Sequence, residues 1–222
     1  MAQKRSTNTR SRVVEEAAKQ FYLQGFKETT MRSLATAVGI KHPSLFSIFE
    51  NKSAIASVLL QRYYNGVQKQ ASELIGTGTS DYPQGELLAF YALNFCLVYE
   101  DRRFAEFFSG FYSEDSETVD RITEGLKHLT RETENEDDTF YHLDTKVLGM
   151  TAMLLVKELA ERALDAKTAT QYFVSMIIEK KYGHHDLSRE SADAFYTVYW
   201  NSIESAARRI DIYRDFFRNE EL

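Results

Sequence analysis

The sequence predicts an all-α protein, and three observations carry that expectation. Apolar residues recur at helical spacing through most of the chain, and no stretch shows the strict alternation of a half-buried strand. Only two prolines and ten glycines interrupt 222 residues, too few breakers for a turn-rich β fold. The length suits one good core, or a core with a small appended domain. Composition is that of an ordinary globular chain, with 43% hydrophobic and 27% charged residues. No run of about 18 apolar residues exists, so no membrane-spanning helix is expected. The opening MAQKRSTNTRSR lacks the apolar stretch of a secretory signal. The lone Cys96 excludes a disulfide framework and a cysteine-cluster zinc site, which makes a reducing cytoplasm the simplest setting.

The elements follow in order. From Thr9 to Gln24, Val13, Val14, Ala17, Ala18 and Phe21 mark a first helix, and Gly25 is a fitting C-cap. Thr30 is a candidate N-cap for a two-turn helix through Met31, Leu34, Ala35 and Val38, ending at Gly39. Lys41-His42-Pro43-Ser44 opens a third helix, with Pro43 in the first turn, where its missing N–H costs nothing. Asn51 or Lys52 starts a long helix through Ile55, Leu59, Tyr63 and Val67 to about Ile75. Gly76-Thr77-Gly78-Thr79-Ser80 is the clearest break. Further helices are expected at about 83–100, 102–112, 115–133, 140–164, 167–182 and 188–216, with the acidic stretch 132–138 as an exposed loop. The expected division is a helix-turn-helix domain over 1–52 and a larger helical domain over 53–222.

Charge is distributed unevenly. Residues 1–52 carry nine Lys/Arg against four Asp/Glu, a net of +5, whereas the rest carries 18 against 29, a net of −11. A basic end on an acidic protein suits nucleic acid, because only the local field meets the phosphates; alone, it is more often a solvated terminus. The pattern after it adds weight. Counting Met31 as first, the small Ala35 stands fifth, where two helices cross closely, and Gly39 stands ninth, where a tight turn asks for positive φ. Leu34, Val38, Ile40, Leu45 and Ile48 supply the wedge between them. An ordinary helical hairpin would share some of this spacing, but not the basic arm or the polar outer face of the third helix.

The string Ala17-Ala18-Lys19-Gln20-Phe21, Gly25-Phe26, Thr29-Thr30-Met31-Arg32-Ser33-Leu34-Ala35, Val38-Gly39-Ile40, Ser44-Leu45-Phe46 and Phe49-Glu50-Asn51-Lys52 resembles the N-terminal domain of TetR/AcrR-family transcriptional regulators. It covers about a fifth of the chain. Two positions depart from the family pattern. Pro43 stands where a small residue, often glycine, is usual, and Phe46 stands where tyrosine is usual and lacks its hydroxyl.

The resemblance implies a reading head that enters a major groove of double-stranded DNA with the start and outer face of the third helix, here Lys41, His42, Ser44 and Ser47. Lysine can donate to guanine, and serine to base edges or phosphates. Pro43 and Phe46 offer apolar contact to a thymine methyl or the sugar backbone. Thr30 and Lys52, at helix N-termini, suit phosphates; Arg32 suits a base edge or a phosphate; Arg5, with Lys4, suits a backbone or minor-groove arm.

One such head makes few base contacts, so a homodimer on a palindromic operator is expected. The resemblance implies that the last two long helices form the dimer interface, through Phe173, Ile177, Phe195, Val198, Tyr199, Ser202 and Ala206, although an apolar stripe is more often an internal core. Ten of the 29 aromatic residues fall between Tyr82 and Tyr112. Most suit a core. Tyr91, Phe95, Tyr99, Phe107, Phe108 and Phe111, with Met150, Met153 and Tyr172, are candidates to line a site for a small apolar or aromatic effector.

No phosphate loop, nucleophile elbow or H-E-x-x-H motif occurs, so no enzyme, cofactor or metal is expected. His184-His185-Asp186 reads as a polar turn and Cys96 as a small buried hydrophobe. The function expected is a homodimeric repressor released from its operator by a ligand. The alternatives are a family member without an inducer, acting as an activator, a global regulator or through a protein partner, and a helical interaction protein that never touches DNA.

Overall fold

The computed structural model describes residues 2–76, 82, 84–114, 139–179 and 187–218, with side chains described from residue 9 in the first helix and from residue 146 in the helix that begins at Thr139. Its helices are α1 (Ala2–Gln24), α2 (Met31–Val38), α3 (His42–Phe46), α4 (Lys52–Ile75), α5 (Gly85–Glu100), α6 (Arg102–Glu114), α7 (Thr139–Ala160), α8 (Ala166–Glu179) and α9 (Arg189–Ala207). A π-helical turn, Tyr213–Phe217, closes the described chain. No strand occurs among the described residues. The helix expected at 115–133, the acidic stretch 132–138 and His184-His185-Asp186 lie outside them.

Most element boundaries follow the local signals. Asn51 caps α4 by accepting from the Ala54 N–H at 2.8 Å, and Ser188 and Ser191 cap α9 reciprocally. Two boundaries differ from expectation. The basic arm is not separate: α1 begins at Ala2, because Ala2, Gln3, Lys4 and Arg5 are good helix formers and each residue added to a formed helix gains a hydrogen bond. The last helix stops at Ala207 rather than near 216, and the chain turns through Arg208-Arg209 into the π-helical turn.

The body is built around α5. Every residue from Leu88 to Val98 is buried, the pattern of a helix enclosed on all sides. Helices α4, α6, α7, α8 and α9 all pack on it. Its Cys96 is buried, and burial pushes the thiol well above its ordinary range, consistent with an inert apolar residue. Helix α6 turns its rings the other way, toward the N-terminal helices: Phe107 stacks on Phe21 at 5.5 Å, Phe111 meets Phe26 edge-on at 5.2 Å, and Phe104 lies 4.4 Å from Tyr63. The core is therefore continuous from Val13 in α1 to Phe217 in the closing turn.

Candidate nucleic-acid interface

The helical hairpin α2–α3 is held by its own backbone chemistry. Thr30, extended at φ −119° and ψ 154°, accepts the Ser33 N–H at 3.0 Å, and Ser33 Oγ accepts the Thr30 N–H at 3.2 Å. This is a reciprocal capping box with serine in the third position. At the other end Gly39 is left-handed at φ 73°. Its N–H donates to Thr36 O at 3.1 Å, and the Ile40 N–H donates to Ala35 O at 3.0 Å, the paired bonds of a Schellman turn. The turn drives the chain into α3, only five residues long with Pro43 in its first turn. Leu45 is fully buried, and Phe49 just beyond the helix nearly so.

These two anchors decide what faces outward. With Leu45 and Phe49 inward, Lys41, His42, Pro43, Ser44, Phe46 and Ser47 are all exposed. Phe46 is 47% exposed, an unusual place for a phenyl ring unless something covers it. Its ring edge-packs with His42 at 4.9 Å, and Ser47 Oγ donates to Ser44 O at 2.7 Å, so side chains along the helix already restrain one another. Thr30 and Arg32 are also exposed.

Two cations absent from the sequence-based set brace this frame from behind. Arg12 of α1 donates to the Val38 carbonyl at 2.7 Å, meeting the negative end of α2. Arg10 donates to the Ile48 carbonyl at 3.2 Å and lies 4.3 Å from the centre of the Phe49 ring. Only the tertiary arrangement reveals these roles, because partners 26 and 38 residues away leave no local pattern.

Lys52 is placed differently from its expected phosphate role. Its ammonium donates to the Phe26 carbonyl at 2.7 Å, sits 4.1 Å over the Phe26 ring and pairs with Glu114 at 3.1 Å. It joins the start of α4 to the end of α6, with the side chain 18% exposed. Arg5 lies within α1, and its side chain is outside the described residues.

Residues 13–59, which contain this hairpin and the helix that supports it, match the family model of the bacterial regulatory proteins of the tetR family. Over that stretch the chain is similar to the tetR-family regulators. It is also similar to the uncharacterised HTH-type transcriptional regulator YdgC of Bacillus subtilis (strain 168), at 27% identity over 88 residues. That match covers 38% of this chain and 45% of the relative, so it spans less than half the length of either.

The candidate effector residues do not converge as one lining. Phe107, Phe108 and Phe111 are buried against other rings of the α1–α4–α6 joint. Tyr91 and Phe95 are buried against Phe173 on α8, at 5.1 and 5.5 Å. Tyr99 is half-buried, with Arg162 at 4.1 Å from its ring centre. Met153 is half-buried, and Met150 and Tyr172 lie outside, 61% and 56% exposed. The candidate interface residues divide as well. Phe173, Ile177, Phe195 and Ala206 are buried within the protomer, while Val198 and Ser202 are exposed and Tyr199 is half-buried on Phe195. Val147 and Leu154, which the sequence-based set lacked, form with the effector candidate Met150 an exposed apolar row on α7, legible afterwards in its helical spacing. Among the described residues no helix is long and apolar enough to cross a membrane, and no cluster of His, Cys, Asp and Glu has metal-site spacing.

Proposed function

We propose that the chain is a sequence-specific DNA-binding transcriptional regulator, a homodimeric repressor working in the cytoplasm on a palindromic operator. The observation that carries this reading is the outward set on α3: Lys41, His42, Ser44, Phe46 and Ser47 exposed together on a short helix whose frame is capped at both ends of α2. Lys41 and the serines would read base edges, and Phe46 would meet a thymine methyl or sugar. Thr30 and Arg32 would meet the backbone and set register. Residues 1–52 would act as the reading head and 53–222 as the regulatory and dimerising body. Val198 and Ser202, exposed on α9, support a dimer through that helix, whereas the buried interface candidates serve the protomer.

Release would be a population shift. One conformer holds two copies of α3 about 34–36 Å apart, matching successive major grooves. A small apolar or aromatic effector preferring another conformer would spoil that spacing, by no more than its differential affinity for the two states. The support for an effector is Tyr91, whose hydroxyl is buried yet has no hydrogen-bond partner among the described residues. Burial alone pushes that hydroxyl well above its ordinary range. A polar atom of a ligand would satisfy it. A second reading, a regulator of the same family without an inducer, draws on the opposite observation that Phe107, Phe108 and Phe111 are already consumed by ring packing.

The test is recovery of random genomic fragments by the purified protein at about 50 and 200 mM salt, followed by sequencing. A recurring palindrome that survives the higher salt supports the reading. Recovery only at low salt without a common motif reduces the protein to a helical body with a nonspecific basic end. Placing the half-sites about five base pairs further apart, half a helical turn, should abolish tight binding, and unchanged affinity would sink the fixed-spacing mechanism.

A further inference from the structure

The described chain ends in a feature that neither dimerisation nor DNA reading explains. After α9 it doubles back, and residues 211–217 form a tight turn whose start is closed by two carboxylates. Asp211 Oδ1 accepts the Arg214 N–H at 2.9 Å, and Asp215 Oδ2 accepts the Asp211 N–H at 2.9 Å. The turn lies against α4 and α1. Phe217 is fully buried, with its ring 6.1 Å from Phe104 and 6.0 Å from Phe107. Phe216 meets Tyr63 edge-on at 5.8 Å, and Tyr213 lies 5.4 Å from Tyr22 on α1. The Phe217 carbonyl accepts a hydrogen bond from Arg62 at 3.0 Å.

Helix α4 carries a glycine where the turn docks. A glycine inside a helix costs about 0.5–1 kcal/mol relative to alanine, and Gly66 has no positive φ to justify it. A Cβ at Gly66 would lie inside the space of the Phe216 ring. The helix thus gives up local stability at the one position where that ring sits on its backbone.

We infer that residues 211–217 are a positioning brace for the reading head: they lock α1 and α4 to α6 at the joint and so fix the angle at which the head leaves the body. Phe216 in the Gly66 seat is the key of that brace. Tyr22 extends it, since its hydroxyl donates to Asp101, at the start of α6, at 2.7 Å. In a dimer a small change of this angle is carried along α1 to α3, so the brace sets which half-site separation is accepted. The inference rests on the proposed reading of DNA.

The experiment uses the full chain and duplexes carrying the recovered palindrome with half-sites moved by one, two and five base pairs. Wild type, Gly66→Ala and Phe216→Leu are compared at a temperature where circular dichroism shows each folded. Wild type should prefer one separation by roughly tenfold or more. In Gly66→Ala, which evicts the ring, that preference should flatten to within roughly threefold, and Phe216→Leu, which keeps an apolar key, should fall between. A variant with the wild-type profile, whether its affinity is uniformly lower or unchanged, overturns the brace, because lost folded protein scales all separations alike. If wild type binds no duplex, the DNA reading fails instead. Amide exchange then decides the brace: faster exchange at 13–24 and 52–70 in Gly66→Ala upholds it, and unchanged exchange overturns it.

Discussion

The reading head and the helical body solve opposite problems with the same secondary structure. In the hairpin α2–α3 the buried residues are few and aliphatic, Leu34, Ala35, Val38 and Leu45, and order comes from caps, a left-handed glycine and two arginines on carbonyls. In the body, order comes from volume: α5 is enclosed on every side, and α6 carries five buried rings, Phe104, Phe107, Phe108, Phe111 and Tyr112. A short helix held by backbone chemistry leaves its outer face free for recognition. A helix held by packing spends its faces on neighbours. The difference explains why the head carries a recognisable pattern and the body does not.

The contrast is broken most directly by truncating a ring. Phe104→Ala should cost about 3–5 kcal/mol in urea unfolding, because Phe104 is fully buried against Tyr63, Phe108 and Phe217. Phe46→Ala, on the exposed face, should change stability by less than about 0.5 kcal/mol. Comparable losses from both would erase the distinction.

Alkali should also act through the body. Residues 25–62 contain no tyrosine, whereas Tyr64 is pushed up to about 12, chiefly by burial and against the opposing hydrogen bond to Tyr112. A raised native pKa means the unfolded chain ionises first. The stabilisation is whole below about pH 10 and is lost as pH rises through about 12, at about 1.4 kcal/mol per pH unit per group. Denaturant titrations from pH 9 to 12 should show that fall, shallower in Tyr64→Phe; a flat profile would contradict it.

Smaller changes probe the head. Gly39→Ala should cost about 1–2 kcal/mol, because φ 73° places a Cβ against its own carbonyl. Thermal melting reads that loss. Lys41→Ala should weaken binding to the recovered palindrome by about tenfold while the melting temperature stays put; equal affinity would remove Lys41 from the set that reads DNA. Thr30→Ala should cost about 1 kcal/mol through the lost cap, measured by urea unfolding.

Much of the fold was legible because its signals are local. Thr30, Gly39, Asn51 and Pro43 lie within one turn of the boundaries they set, and the apolar spacing of α4 runs uninterrupted through Ile55, Leu59, Tyr63 and Val67. The exposed face of α3 was legible for the same reason. Lys52 was not, since its partners Phe26 and Glu114 lie 26 and 62 residues away. Nor was the division among Phe173, Ile177, Val198 and Ser202, because helical spacing shows that a face is apolar without showing what covers it.

By itself, then, the sequence determined most of the described helices and the hairpin, which rest on contacts between residues a few positions apart. Only the tertiary structure decided where the rings went, which cations were consumed as struts, and that the Phe216 ring sits against the backbone at Gly66. Those outcomes depend on which surfaces meet. Burial and ring packing act between whatever groups are close in space, so sequence distance carries no record of them.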